Sequence, residues 1–107
     1  MSAASKLVVA TTVALFSAST SAAMAEVVRV DVNKVVFSPA LVSAHVGDTI
    51  EWVNADFMAH TAAAKDQQWE VMLEPGKAGR IQLKKVGTID YFCRFHPNMT
   101  GSILVTE

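Results

Sequence analysis

Residues 87–107 read GTIDYFCRFHPNMTGSILVTE, and this stretch decides the fold class. In its first half Ile89, Tyr91 and Cys93 recur with a period of two; in its second half Ile103 and Val105 do the same. Successive side chains of a strand point to opposite faces, so each half presents one apolar face and one polar face. Two strands are predicted, with the seven residues Cys93–Met99 as the loop between them. If the apolar face is the core, the Cys93 thiol lies at the end of a core strand, just inside the rim.

The same grammar extends towards the N-terminus. VVRVDV and VVF are rich in branched residues, and Pro39 ends the second run. VGD at 46–48 is a turn signal, followed by TIEWVN with Ile50, Trp52 and Asn54 on one face. RIQLKK places Ile81 and Leu83 on one face. Residues 55–79 are less regular and carry His60, Trp69, Pro75 and Gly76; TAAAK within them permits a short helix or an edge strand. A long apolar period of 3.6 residues, an internal repeat and a low-complexity segment are all absent from the sequence. About seven short strands divided by Gly and Pro turns predict an all-β sandwich with Greek-key connections.

Residues 1–25 are set apart by composition. A basic start (Lys6), an apolar stretch from Leu7 to Phe16 and small residues ending Ala23-Met24-Ala25 form the layout of a secretory leader, with cleavage expected between Ala25 and Glu26. The apolar stretch is too short for a membrane anchor, which needs roughly 18 apolar residues. Residues 26–107 then form a single small domain, near the size where a hydrophobic core alone is just sufficient. Removing the leader takes away one base and no acid, which moves the formal charge from −1 to −2. That balance excludes a nucleic-acid-binding surface built on basic residues.

One cysteine cannot staple an exported domain, and a free thiol in an oxidising compartment must be buried or occupied. Cys93 shares its loop with His96 and Met99, and Pro97 restricts the backbone between the last two. Taken singly, each has an ordinary explanation: a methionine packs, a histidine is solvated, a cysteine is a small buried hydrophobe. Their shared loop changes the weighing. A second imidazole would complete a two-histidine, one-thiolate site with a weak thioether ligand, the donor set of an electron-transfer copper. His60, in a loop expected at the rim, is the candidate; His45, beside the VGD turn, reads as a surface residue. Structural zinc would not select a thioether, haem attachment needs a second cysteine, and calcium or magnesium needs clustered oxygens.

At these residues the chain resembles the cupredoxins, the small blue copper proteins, and within them the amicyanin type. The loop Cys93-Arg-Phe-His96-Pro-Asn-Met99 is similar to that type's short ligand loop, including Pro97 and Gly101. Asn54, Met58 and His60 reproduce its spacing before the first ligand histidine. The resemblance covers most of residues 27–106 and implies a cupredoxin-like sandwich. It further implies one type 1 copper ion cycling between Cu(II) and Cu(I), with His60, Cys93, His96 and Met99 as ligands. Asn54 is then expected to tie the His60 loop to the Cys93 loop.

The implied function is that of a periplasmic one-electron carrier, a monomer with no membrane anchor in the mature chain. A periplasmic dehydrogenase as donor and a c-type cytochrome as acceptor are the partners the resemblance suggests. His96 would be the partly exposed ligand, ringed by an apolar docking patch of Phe57, Met58, Met72, Phe95 and Pro97. The alternative is periplasmic copper carriage through the same residues. A copper enzyme would need further centres with several more histidines, and only His45 is left over. Two departures bear on tuning: Arg94 stands where the family usually has Thr, and Thr61 where the amicyanin type has Asn.

Overall fold

The computed structural model describes residues 24–107; the leader expected over residues 1–25 lies, up to residue 23, outside the described residues. Among the described residues the chain forms nine strands: β1 (Val27–Asn33), β2 (Val36–Ser38), β3 (Leu41–His45), β4 (Thr49–Asn54), β5 (His60–Ala64), β6 (Glu70–Leu73), β7 (Ala78–Gln82), β8 (Gly87–Phe92) and β9 (Thr100–Thr106). They build two sheets, one in the order β2-β1-β4-β7 and the other β3-β9-β8-β5-β6. The chain crosses between sheets after β2, β3, β4, β6 and β7, and these crossings make the sandwich. No helix among the described residues is long and apolar enough to cross a membrane.

Period two in the sequence becomes burial in the structure. Val30 and Val32 of β1, Ile50 and Trp52 of β4, Ile89 and Tyr91 of β8, and Ile103 and Val105 of β9 all point between the sheets. Each large side chain taken fully out of water contributes about 1.5–3 kcal/mol, so this shared face is the main stabilising term. Aromatic rings fill its centre: Tyr91 meets Phe37 edge-on at 4.8 Å and Trp52 at 5.5 Å. Trp69, just before β6, stacks obliquely on both Trp52 and Tyr91.

The expected strand number of about seven differs from the nine found. Leu41–His45 is a strand of its own, pairing in parallel with β9, and two more strands arise within residues 55–79. TAAAK is neither a helix nor an edge. It lies in β5, between β8 and β6, with every residue from His60 to Ala64 buried. Every residue of β5 is buried, so apolar alanine fits there without a strong strand preference of its own.

The register fixes which loops meet. β5 and β8 run antiparallel with Ala63 opposite Phe92, so the start of β5 lies beside the end of β8. β1 runs parallel to β4 with Val32 opposite Asn54, which brings the tight β1–β2 turn to the same rim. That turn holds Lys34 and Val35 in the left-handed region, at φ 54° and 61°. One end of the sandwich therefore gathers the turn at 34–35, the β4–β5 loop and the β8–β9 loop.

Candidate metal centre

Cys93 is the first residue beyond β8, and its loop closes on itself through backbone bonds. Its N–H donates to the Met99 carbonyl at 2.9 Å, the Met99 N–H to the His96 carbonyl at 2.8 Å, and the His96 N–H to the Cys93 carbonyl at 3.2 Å. Three residues at this spacing can converge only in such a tight loop. His60 opens β5 on the neighbouring strand and is fully buried. The Cys93 Sγ lies 3.7 Å from Nδ1 of His60 and 3.7 Å from Nδ1 of His96. The ligating atoms of all three residues fall within 4.8 Å of one another, and the two imidazole centroids are 5.0 Å apart. Met99 is buried at the close of the same loop. The expected convergence of His60, Cys93 and His96 is what the fold produces, and His45 stays exposed beyond the site, beside Asp48.

The surroundings prepare these atoms to bind a soft cation. The Nε2 of His60 bonds the Asp56 carboxylate at 2.7 Å, so this nitrogen carries the proton and Nδ1 turns a lone pair towards the sulfur. Asp56 also accepts the N–H groups of Lys34 at 2.7 Å and Val35 at 3.0 Å. The backbone N–H of Val35, chiefly, holds the Asp56 carboxyl below the usual carboxylate range, and the partners Lys34 and His60 add to it. The Thr61 N–H points at Cys93 Sγ from 3.4 Å, a donor suited to a thiolate. Cys93 is a buried free thiol. Two imidazole nitrogens around one enclosed sulfur, with a thioether in the same loop, fit copper by donor softness and number.

The link expected from Asn54 to the Cys93 loop is not formed. Asn54 Nδ2 donates to the carbonyls of Met58 and Leu73, both at 2.9 Å, and its Oδ1 accepts the Asp56 N–H. It braces the His60 loop from within. Arg94 explains the change: a guanidinium only donates, and this one reaches outward to Glu70, with Nε–Oε1 at 2.6 Å and Nη2–Oε2 at 2.8 Å. Arg94, bonded in this way, lowers the Glu70 pKa. The bridge between the loops is made by Thr61 instead, whose hydroxyl accepts the Arg94 N–H at 2.8 Å. Asp56 and the Thr61 hydroxyl were not among the expected site residues. Asp56 lies four positions before His60, and an acid that close to a candidate ligand is the signal that points to it.

A family model described as a cupredoxin-like domain matches residues 6–105. The chain belongs to the cupredoxin family. It is 32% identical over 87 residues to an amicyanin of Paracoccus versutus, an alignment covering 76% of this chain. It spans only 66% of that relative's length. Among solved structures, a reduced amicyanin mutant superposes with a TM-score of 0.65 at 29% identity, covering 74% of this chain and 81% of that one. A copper-containing nitrite reductase from Thermus scotoductus gives a TM-score of 0.69 at 32% identity over 75% of this cupredoxin, but over 22% of the enzyme.

Proposed function

We propose that this cupredoxin is an exported, periplasmic one-electron carrier. His60 and His96 would hold one copper ion through Nδ1, Cys93 through its thiolate sulfur, and Met99 through its thioether. The observation that carries the proposal is the pair of imidazole nitrogens, each 3.7 Å from one buried sulfur, with Thr61 N–H as a further donor to that sulfur. Bound copper supplies the Cu(II)/Cu(I) couple. The chain's part is to hold the donors still: Asp56 fixes the His60 ring, Asn54 braces the loop behind it, and the closed Cys93–Met99 loop fixes the other three. Rigid donors suit electron transfer because little needs to reorganise between the two oxidation states.

His96 is the half-buried member of the set, and the others are enclosed. Around it Val35, Pro97, Asn98 and Met99 line a shallow groove. Phe57 is fully exposed, and Met58, Met72 and Phe95 are about half exposed or more. An apolar rim of this size suits brief docking of redox partners, which use interfaces at the low end of the size range. A periplasmic dehydrogenase as donor and a c-type cytochrome as acceptor fit this reading, with the domain working as a monomer and without chemistry of its own.

Voltammetry of the copper-loaded protein separates carrier from copper store. A carrier shows a reversible one-electron wave together with strong visible absorption in the oxidised form. A protein that holds Cu(I) without colour and releases copper on oxidation would contradict the proposal and support copper carriage.

A further inference from the structure

At the other end of β4, away from the metal centre, Asp48 is 4% exposed. Its Oδ2 accepts the His45 N–H at 2.8 Å, and its Oδ1 accepts the N–H of Glu26 at 2.9 Å. The Glu26 carbonyl in turn accepts the Thr49 N–H at 2.9 Å, so Glu26 is pinned on both sides by the start of β4. Among the described residues the one basic group within ion-pair reach of Asp48 is the His45 ring, at 3.6 Å and largely in solvent. A buried carboxylate thus directs one oxygen at the backbone nitrogen of Glu26. That nitrogen belongs to the residue that a leader cut after Ala25 would place first.

We infer that Asp48 is the receptor for the chain terminus created by export. A leader peptidase hydrolyses the Ala25–Glu26 bond: the hydroxyl of water goes to the Ala25 carbonyl, and its hydrogen goes to the Glu26 nitrogen. The released amine takes up one proton and becomes an ammonium group, already seated against Asp48 Oδ1. The hydrogen bond from a neutral amide N–H to Asp48 is thereby replaced by a charge-assisted one from an ammonium group. The bond is open to a peptidase, since Met24 and Ala25 are exposed, and β1 begins beyond it at Val27. Processing then does more than detach the leader. It strengthens the joint that holds β1 against the β3–β4 turn.

The pair has a pH signature. The titratable groups lining the cleft at this point are His45, Asp48, Glu107 and the side chain of Glu26 itself; three of these four are acids. Lys84 and Lys85 follow Leu83, whose N–H bonds the Asp48 carbonyl, and both are exposed. The acids favour the protonated amine, so its pKa in the folded protein rises above the ordinary value of about 8. The added stability is complete below pH ~8 and disappears as pH rises through the folded value.

The test begins with the full chain expressed in a bacterium and recovered after export. The mass of its N-terminal peptide should show Glu26 as the first residue; any other terminus overturns the inference at the processing step. The α-amine is then labelled by reductive methylation with ¹³C-formaldehyde and its pKa read by NMR. A value at least about one unit above the ordinary one, a tenfold tighter hold on the proton, is expected. Asp48→Asn should bring it back to the ordinary range. The exported wild-type protein, selectively acetylated at the same amine, provides a check that needs no variant. It should melt several degrees lower at pH 7 and identically above pH 10. An unshifted amine, or equal melting temperatures at pH 7, overturns the ion pair.

Discussion

Asp56 serves three neighbours with one carboxylate. It takes the N–H groups of Lys34 and Val35, the two residues that the β1–β2 turn holds in the left-handed region, and it takes the proton-bearing nitrogen of His60. Left-handed backbone is unfavourable for a β-branched residue such as Val35, so the turn needs outside support, and the same side chain that supplies it orients His60, the proposed copper ligand. Asp56→Ala should therefore lower copper affinity by roughly 10–100-fold, the usual cost of removing the partner of a ligating histidine. Competition for copper against a chelator measures this on the folded variant, and an unchanged affinity would show that His60 is oriented by packing alone. Asp56 did not stand out in the sequence as a site residue, and Thr61 stood out only as a departure from the family pattern, not for its hydroxyl. Their roles depend on register, on Thr61 facing Arg94 across β5 and β8, and register is not written in either segment alone. Cys93, His96 and Met99 were legible because one short loop contains all three.

At the scale of elements, β8 and β9 were readable from alternation, and β5 was not. Alanine has no strong strand preference, and the strand exists because β8 and β6 flank it and both of its faces are covered. β3 escaped for a related reason. Its five residues follow Pro39 closely, and their pairing partner, β9, is the last strand of the chain. Close packing also explains a residue in the loop motif. A methyl group added at Gly101 would come within 2.4 Å of the Tyr91 ring, directly behind the Cys93 loop. Gly101→Ala should cost about 1–3 kcal/mol through overpacking. Chemical denaturation reads that loss, and a neutral result would mean that the Tyr91 ring can move aside.

For the whole molecule, the core and the site share one support. Tyr91, the single tyrosine, is enclosed by Phe37, Trp52 and Trp69, and lies in β8 two positions before Cys93. Burial is the main cause that pushes its phenol up to about 12, against 10.0 for a free one, despite an opposing effect from Trp52. The folded state therefore resists ionisation that the unfolded chain accepts. Stability is intact below pH 10 and should fall by about 2–3 kcal/mol as pH rises from 10 to 12. Tyr91→Phe should remove this part of the alkaline slope, as urea midpoints across that range would record. An identical slope in both proteins would place the alkaline weakness elsewhere.

The same architecture places three loops at one rim with a buried sulfur at their meeting point, and the central claim is that this sulfur binds copper. Titration of the metal-free protein with Cu(II), followed by visible absorption and electron paramagnetic resonance, tests it most directly. The wild type should saturate at one copper per chain with an intense thiolate-to-copper band and a narrow copper hyperfine splitting, and Cys93→Ala should lose the band entirely. The same spectrum in both proteins would contradict the account.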